Sequence, residues 1–443
     1  VYSFWAGLIF LIVILIRKYI RFRRTVVGKE DLLEEIADLN RNVIKLTKEK
    51  EEIIKLKVAN NLSVDDLMNA ENIEDAAKEK MEGEEVEGEE EEKEEGRFYR
   101  LAAVDEKYTF YQPEPYKNDM TLQELCDQLR NYACSQAHLF YDIKTIRLMI
   151  AGLSSTKMVL LQGISGTGKT SLPYVMGKFF YNDATIASVQ PSWRDRSELF
   201  GFFNEFTKKF NETEVLRRIY ESSYNDDINI IVLDEMNIAR VEYYFAEMLS
   251  ILEMPDPEEW KIQLVSAVWD TDPTHLTDGK LQIPQNVFYV GTANNDDSTF
   301  SVSDKVYDRG YTMNFDKRAP AITDFDEEMK PQFVDYSLLR NLFKNAPSVG
   351  FSVEKCTQIL ECEKLLRPYN ISFGNRIAKQ IEEFVKIYCN CFREPSKHID
   401  EAVETILLSK VVHKLEYKNV TNKAELIHAF KKLNLFKCVE FIE

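Results

Sequence analysis

Residues 1–16 carry no charged side chain and are dominated by Ile, Leu, Val and Phe, and Arg17, Lys18, Arg21, Arg23 and Arg24 follow at once. An apolar run with a basic cluster beside it is the pattern of a helix that meets a membrane interface. The run is slightly short of the roughly 20 residues a spanning helix needs, but the long stems of Arg17 and Lys18 extend it. The charges come after the run and no small-residue cleavage site follows, which separates it from a secretory signal. The expectation is a single-pass anchor over residues 1–24. Its basic side should face the cytoplasm, so that everything after it is cytoplasmic.

The rhythm then changes. Residues 29–57 are rich in Glu, Lys, Leu and Ile, and Leu32, Ile36, Leu39, Val43, Leu46 and Ile53 recur at steps of three and four, with Lys50 interrupting one seam position. That spacing predicts a short coiled coil, continued as a helical stalk over residues 29–80. Residues 82–96 are nearly all Glu and Gly. Like charges on a glycine-rich chain repel and extend, so residues 81–96 read as a disordered acidic linker.

From residue 97 the pattern becomes that of a globular fold. Thr121-Leu122-Gln123-Glu124 is a capping-box helix start. Residues 142–153 read as a further helix leading into a short apolar strand at 158–161. Apolar strands follow at 184–189, 228–233 and 287–292, with helix-compatible stretches between them. Strand and helix in alternation imply a mainly parallel, doubly wound α/β sheet over residues 97–320. Beyond residue 321 helical runs dominate, at 336–344, 353–366, 376–388 and 401–415, and these read as a C-terminal α-helical lid over 321–443.

Composition narrows the class. A hydrophobic fraction of 44% in 443 residues supports two or three packed regions. The formal net charge of −18 argues against a broad nucleic-acid-binding surface and leaves direct nucleic-acid binding open only locally. Seven cysteines occur without a C-x-x-C pair, and five histidines lack metal-binding spacing, so reduced thiols and no zinc site are expected.

The chemistry is concentrated in two segments. Gly163-Ile164-Ser165-Gly166-Thr167-Gly168-Lys169-Thr170 fits G-x-x-x-x-G-K-[ST], lies between a strand and a helix-compatible stretch from Thr170, and with Ser171 makes up the candidate phosphate-binding residues. Glycines at 163, 166 and 168 let the backbone curl so that successive N–H groups face phosphate oxygens, and the helix start adds a positive dipole end. Lys169 is placed to reach the β- and γ-phosphates, and Thr170 to offer a hydroxyl to Mg²⁺. The second segment is the apolar strand Ile230-Ile231-Val232-Leu233, which ends in Asp234-Glu235. Asp234 is a candidate for the same metal, directly or through water, and Glu235 for polarising the attacking water. These residues predict binding of a nucleoside triphosphate with Mg²⁺, and its hydrolysis.

The residues Leu161 to Thr170, Leu233-Asp234-Glu235-Met236-Asn237, Gly291-Thr292-Ala293-Asn294 and Asp304-Lys305-Val306-Tyr307-Asp308-Arg309, in that order, resemble an AAA+ ATPase. Within that class they look most like the branch containing McrB, MoxR and the dynein motor modules. Asp234 to Arg240 is particularly McrB-like, as is Val189 to Asp195 before Leu199-Phe200-Gly201-Phe202. The likeness covers roughly residues 120–415. It implies that Asn294, or Asn295 in the same turn, orients water together with Glu235. It also implies that Arg309 is an arginine finger acting on the nucleotide of a neighbouring subunit, that Arg376 is a second sensor, and that residues 199–217 form a hairpin facing a central pore. A finger of this kind implies a homo-oligomeric ring, usually a hexamer. General usage of the class favours ATP, whereas McrB-type proteins use GTP. The chain departs from the McrB pattern: no DNA-binding domain precedes the ATPase region, and no nuclease carboxylate–lysine cluster is evident. The implied roles are a membrane-tethered motor that remodels or translocates a partner, a GTP-dependent defence subunit paired with a separate nuclease, or a MoxR-like chaperone with a client protein.

Overall fold

A computed structural model describes residues 96–443, apart from 112–115, 117–118, 295–298, 318–319, 324, 326–329, 419 and 421. The anchor expected over 1–24, the coiled coil over 29–80 and all but the last residue of the linker over 81–96 lie outside the described residues, as does Asn295. Among the described residues no helix is long and apolar enough to cross a membrane.

In chain order the strands are β1 (Met158–Gly163), β2 (Thr185–Ser188), β3 (Gly201–Asn204), β4 (Lys209–Glu212), β5 (Asn229–Asp234), β6 (Lys261–Gln263), β7 (Leu276–Thr277), β8 (Lys280–Gln282), β9 (Val287–Asn294) and β10 (Tyr311–Phe315). Five of them form one parallel sheet in the order β10-β1-β9-β5-β2. The inner strands β1, β5 and β9 are almost continuously apolar and buried, as strands covered on both faces must be. Edge strand β2 alternates between half-buried and exposed positions instead. The order matters for function. β9 lies between β1 and β5, so the carboxyl ends of all three open into one crevice.

The principal helices are α1 (Arg100–Tyr108), α2 (Leu122–Ser135), α3 (Ile143–Ser155), α4 (Ser171–Phe179), α5 (Glu214–Glu221), α6 (Ala246–Ile251), α7 (Asp304–Arg309), α8 (Tyr336–Asn345), α9 (Thr357–Leu366), α10 (Asn375–Asn390), α11 (Ile399–Lys410), α12 (Lys423–Lys432) and α13 (Phe436–Ile442). The expected capping box at α2 is formed: Glu124 N–H donates to Thr121 Oγ1 at 3.2 Å and Thr121 N–H donates to Glu124 Oε2 at 2.9 Å. Asp142 caps α3 by accepting from Lys144 N–H at 3.2 Å.

The structure departs from the expected elements in several places. The helical run expected over 401–415 stops at Lys410, where the backbone breaks at Val411 and tightens into a 3₁₀ turn, Val412–Tyr417. The break lets the Lys410 ammonium turn inward and donate to the carbonyls of Tyr307 and Asp308, each at 3.2 Å, and of Gly310 at 2.5 Å. Lys410 thereby caps the end of α7. The run expected over 353–366 likewise splits into a 3₁₀ turn, Val353–Lys355, and α9. The antiparallel β6-β8-β7 sheet carried no sequence signal, because its strands are two or three residues long. One hydrophobic cluster runs from Met149 and Ile150 of α3 through Tyr311 of β10 to Phe384 and Val385 of α10.

β3 and β4 form an antiparallel hairpin within the segment 199–217. Its tip residue Phe206 is 99% exposed. At its base the Glu212 carboxylate accepts from the N–H groups of Tyr99 (2.9 Å), Arg100 (2.7 Å) and Leu101 (2.9 Å). A carboxylate at these orphan donors of α1 satisfies them and favours the helix dipole. Glu212→Ala should therefore loosen α1, at a cost of about 1–2 kcal/mol. Hydrogen exchange of the amides of Tyr99, Arg100 and Leu101 would rise in the variant while amides of β1 and β9 keep their protection; unchanged exchange at all three would contradict this role.

Candidate functional site

Strand β1 ends at Gly163, whose φ is +140°, and a Cβ there would lie 2.5 Å from the Phe315 carbonyl oxygen of β10. Only glycine lets the loop leave the sheet at this point. Gly166, at φ +76°, faces open space, with no atom within 4 Å of where a Cβ would stand. Gly166 and Gly168 N–H groups donate to no backbone carbonyl among the described residues. The result is a concave loop with available donors beside the start of α4, the arrangement that receives phosphate.

Lys169 lies beneath the loop and is 6% exposed. Its ammonium donates to the carbonyls of Gly163 at 3.1 Å and Ile164 at 2.7 Å. Thr167 Oγ1 also closes back on Ile164 O at 2.8 Å. Ser165 and Thr167 line the same cleft as Gly168, Thr170 and Ser171. Behind the loop, the Tyr141 hydroxyl donates to Gly168 O at 2.9 Å, and burial pushes the Tyr141 phenol upward so that it remains a proton donor.

Asp234 stands opposite. Its Oδ1 accepts from Thr170 Oγ1 at 2.6 Å and from Thr292 Oγ1 at 2.8 Å. One carboxylate oxygen thus gathers the phosphate-loop side and the ends of β5 and β9. The next residue, Glu235, has the left-handed backbone φ of +52°, a strained conformation for a non-glycine residue. Its N–H donates to Thr292 Oγ1 at 2.9 Å, which helps to hold that conformation. The Glu235 side chain is exposed to the cleft, and Asn294 Nδ2 donates to its Oε1 at 3.4 Å. Asn237, 4% exposed, secures Asn294 from behind: its amide donates to Asn294 O at 2.9 Å and accepts from Asn294 N–H at 3.3 Å.

These groups line one cleft of about 350 Å³, bounded by His138 to Tyr141 on the far side. A largely apolar cavity of about 530 Å³ adjoins it across Tyr141 and Thr167, with Leu148, Met313, His413 and Phe441 in its wall. A nucleotide needs both kinds of space: a polar cradle for phosphates and an apolar recess for a planar base. The cleft also fits Mg²⁺, which keeps most of its waters and takes only one or two protein oxygens besides phosphate. Thr170 and Asp234 would hold it.

The structure therefore brings together Lys169, Thr170, Asp234, Glu235 and Asn294, as their positions in the sequence suggested. Arg309 and Arg376 stand elsewhere. Neither lines the nucleotide cleft of its own chain, and both guanidinium groups contact the carboxylate of Glu253: Arg309 through Nη2 and Arg376 through Nη1. Helix α7, which carries Arg309, is nevertheless tied to the phosphate-binding strand. Tyr307 hydroxyl donates to Gln162 Oε1 at 2.8 Å, one residue before Gly163. Lys414 pairs with Asp308 at 2.5 Å, and the His413 ring packs at a tilt against Tyr307 with centroids 4.3 Å apart. Burial pushes the His413 imidazole down to about 3, so the ring is neutral there.

Thr292, Asn237, Tyr141 and Glu253 had no assigned role from sequence. Thr292 had a readable signal: it is two residues from Asn294 on one strand, so both side chains share a face. Tyr141 and Glu253 had none, since each is defined only by a partner distant in the chain.

No family model matches this chain, and no curated protein matches it. Among solved structures, a candidate ATPase from Cytophaga hutchinsonii is similar, with 14% sequence identity over 75% of this chain and 98% of that one, and a TM-score of 0.47.

Thr292 serves two partners, so Thr292→Val, which keeps shape and removes the hydroxyl, isolates its role. Hydrolysis should fall on the order of tenfold, the loss of about one charge-assisted hydrogen bond at the reacting end of the site. Nucleotide affinity should change little, because the loop is untouched. Loss of binding with the turnover number preserved would show that Thr292 instead supports the loop.

Proposed function

We propose that this chain is a nucleoside-triphosphate hydrolase of the AAA+ class, with ATP as its nucleotide, working as a membrane-tethered homo-oligomeric ring that remodels or translocates a partner protein. The observation that carries the hydrolase reading is the Asp234 carboxylate, which accepts from Thr170 and Thr292 at the mouth of the phosphate loop, with Glu235 and Asn294 beside it. The ordered resemblance of four motifs supports the class. The apolar run with its basic flank supports the tether.

The chemistry divided among the residues is as follows. Lys169 exchanges its two loop carbonyls for phosphate oxygens, a compact cation already desolvated and aimed at the cradle. Thr170 and Asp234 would hold Mg²⁺, which when bound would neutralise charge on the phosphates. Glu235 accepts the proton of the attacking water. Its backbone is fixed through Thr292 and its side chain is steered by Asn294, so little reorganisation is left for the reaction itself. Among the described residues no arginine lines the chain's own cleft, and the charge that develops on the transferring phosphoryl group calls for one. Arg309 of a neighbouring copy supplies it in this reading, which makes the ring a requirement of the chemistry. The exposed Phe206 at the hairpin tip is suited to gripping a partner in the ring's centre.

Substitutions separate these roles. Lys169→Ala should abolish nucleotide binding. Glu235→Gln should bind ATP normally and turn over at least a hundredfold more slowly, the scale of a lost general base. Arg309→Ala should also bind and fail to turn over. Mixing the Glu235→Gln and Arg309→Ala proteins should restore part of the activity, because some interfaces then pair an intact Glu235 with an intact Arg309. Turnover by Arg309→Ala alone at the wild-type rate would end the finger assignment. Running ATP and GTP in parallel decides the purine.

A further inference from the structure

Glu253 follows α6, 18 residues along the chain from Glu235. Its carboxylate is the meeting point of two cations. Arg309, from α7, contacts Oε2 through Nη2, and Arg376, from the first turn of α10, contacts Oε1 through Nη1. Arg309 is folded along its own helix: Nη1 donates to Lys305 O at 3.0 Å, and Nε is buried without a partner. Its side chain is 19% exposed and that of Glu253 25%, against 44% for Arg376. A guanidinium held in this way cannot present its fork to a phosphate in another subunit.

The surroundings favour an approaching anion. A cleft of about 480 Å³ beside Arg309 is lined by Arg340 and Lys344, while Lys386 there is paired with Glu383 at 2.9 Å and burial pushes the Lys157 ammonium down to about 7. Two guanidinium groups share the single negative charge of Glu253, so a multiply charged phosphate arriving at this face is a stronger partner for both than the carboxylate they already hold.

We propose that Glu253 is a latch. In an unassembled subunit it retains Arg309 and Arg376 against their own chain, and the nucleotide phosphates of a neighbouring copy displace it when the ring closes. This rests on the reading of Arg309 as a group acting between copies. It adds that Arg376 belongs to the same inter-subunit face and that Glu253 restrains premature hydrolysis. Glu253 is a positioning residue, because it acts through the arginines.

The test is Glu253→Gln, which keeps the side chain's size and removes its charge, in the full chain. ATP hydrolysis per subunit is measured against protein concentration, beside wild type and Arg309→Ala, with nucleotide affinity as a control. At low concentration the variant should turn over roughly two- to fivefold faster than wild type, as expected for loss of the partly exposed ion pairs of Glu253 with Arg309 and Arg376. The gap should close at high concentration, where neighbours have already displaced the latch, with affinity unchanged throughout. Equal or slower turnover by Glu253→Gln at every concentration overturns the latch. If Arg309→Ala turns over like wild type, the reading beneath it fails as well; if Arg309→Ala is inactive and Glu253→Gln is not accelerated, only the latch fails. Should Glu253→Gln not fold, Glu253→Asp is too short to bridge both arginines and should be accelerated in the same direction, and no acceleration there overturns the latch equally.

Discussion

One oxygen of Asp234 organises the site. It accepts from Thr170 beside the phosphate loop and from Thr292 on β9, and Thr292 in turn accepts from the backbone of Glu235. This is feasible only because β9 is inserted between β1 and β5 in the sheet, although it comes after both in the chain. With that order, β5 brings the Asp234 and Glu235 carboxylates, β9 the Asn294 amide and β1 the glycine-rich loop to one crevice. The left-handed backbone at Glu235 is the strained point of the arrangement, and the Thr292 hydroxyl is what anchors it.

A second consequence of the fold is that Arg309 and Arg376 stand apart from the cleft around Lys169 and Glu235, and side-chain contacts connect the two. Tyr307 binds Gln162 at the base of the phosphate loop, so α7 is linked directly to the strand that carries the cradle. Lys410, fully buried, caps α7 from the C-terminal helices, and burial pushes its ammonium down to about 7 while Asp308 opposes the shift. The continuous chain from Glu235 to Glu253 supplies the other path. Side-chain contacts and continuous chain thus join the cleft to the segments that carry Arg309 and Glu253.

The phosphate loop, the Asp-Glu strand and Asn294 were legible because each is a local pattern with a local structural consequence: an apolar run that ends in a polar group at the carboxyl edge of a strand. The helix starts at Thr121 and Asp142 were legible for the same reason. The end of α11 was not, since periodicity continues through residue 415 and only the inward turn of Lys410 onto the α7 carbonyls breaks it. β10 has an alternating pattern, Tyr311-Thr312-Met313-Asn314-Phe315, that would have identified it as an edge strand. The meeting of Arg309 and Arg376 on Glu253 had no local trace, because it joins three segments separated by long stretches of chain.

The central claim is that catalysis requires one copy's Arg309 at another copy's cleft. The most direct measurement is phosphate release by the full chain with ATP and Mg²⁺, expressed per subunit across a wide range of protein concentration. The account predicts activity per subunit that rises steeply and then levels as rings fill. A constant value per subunit down to concentrations where the chain is monomeric would show that each cleft is complete by itself, and would contradict it.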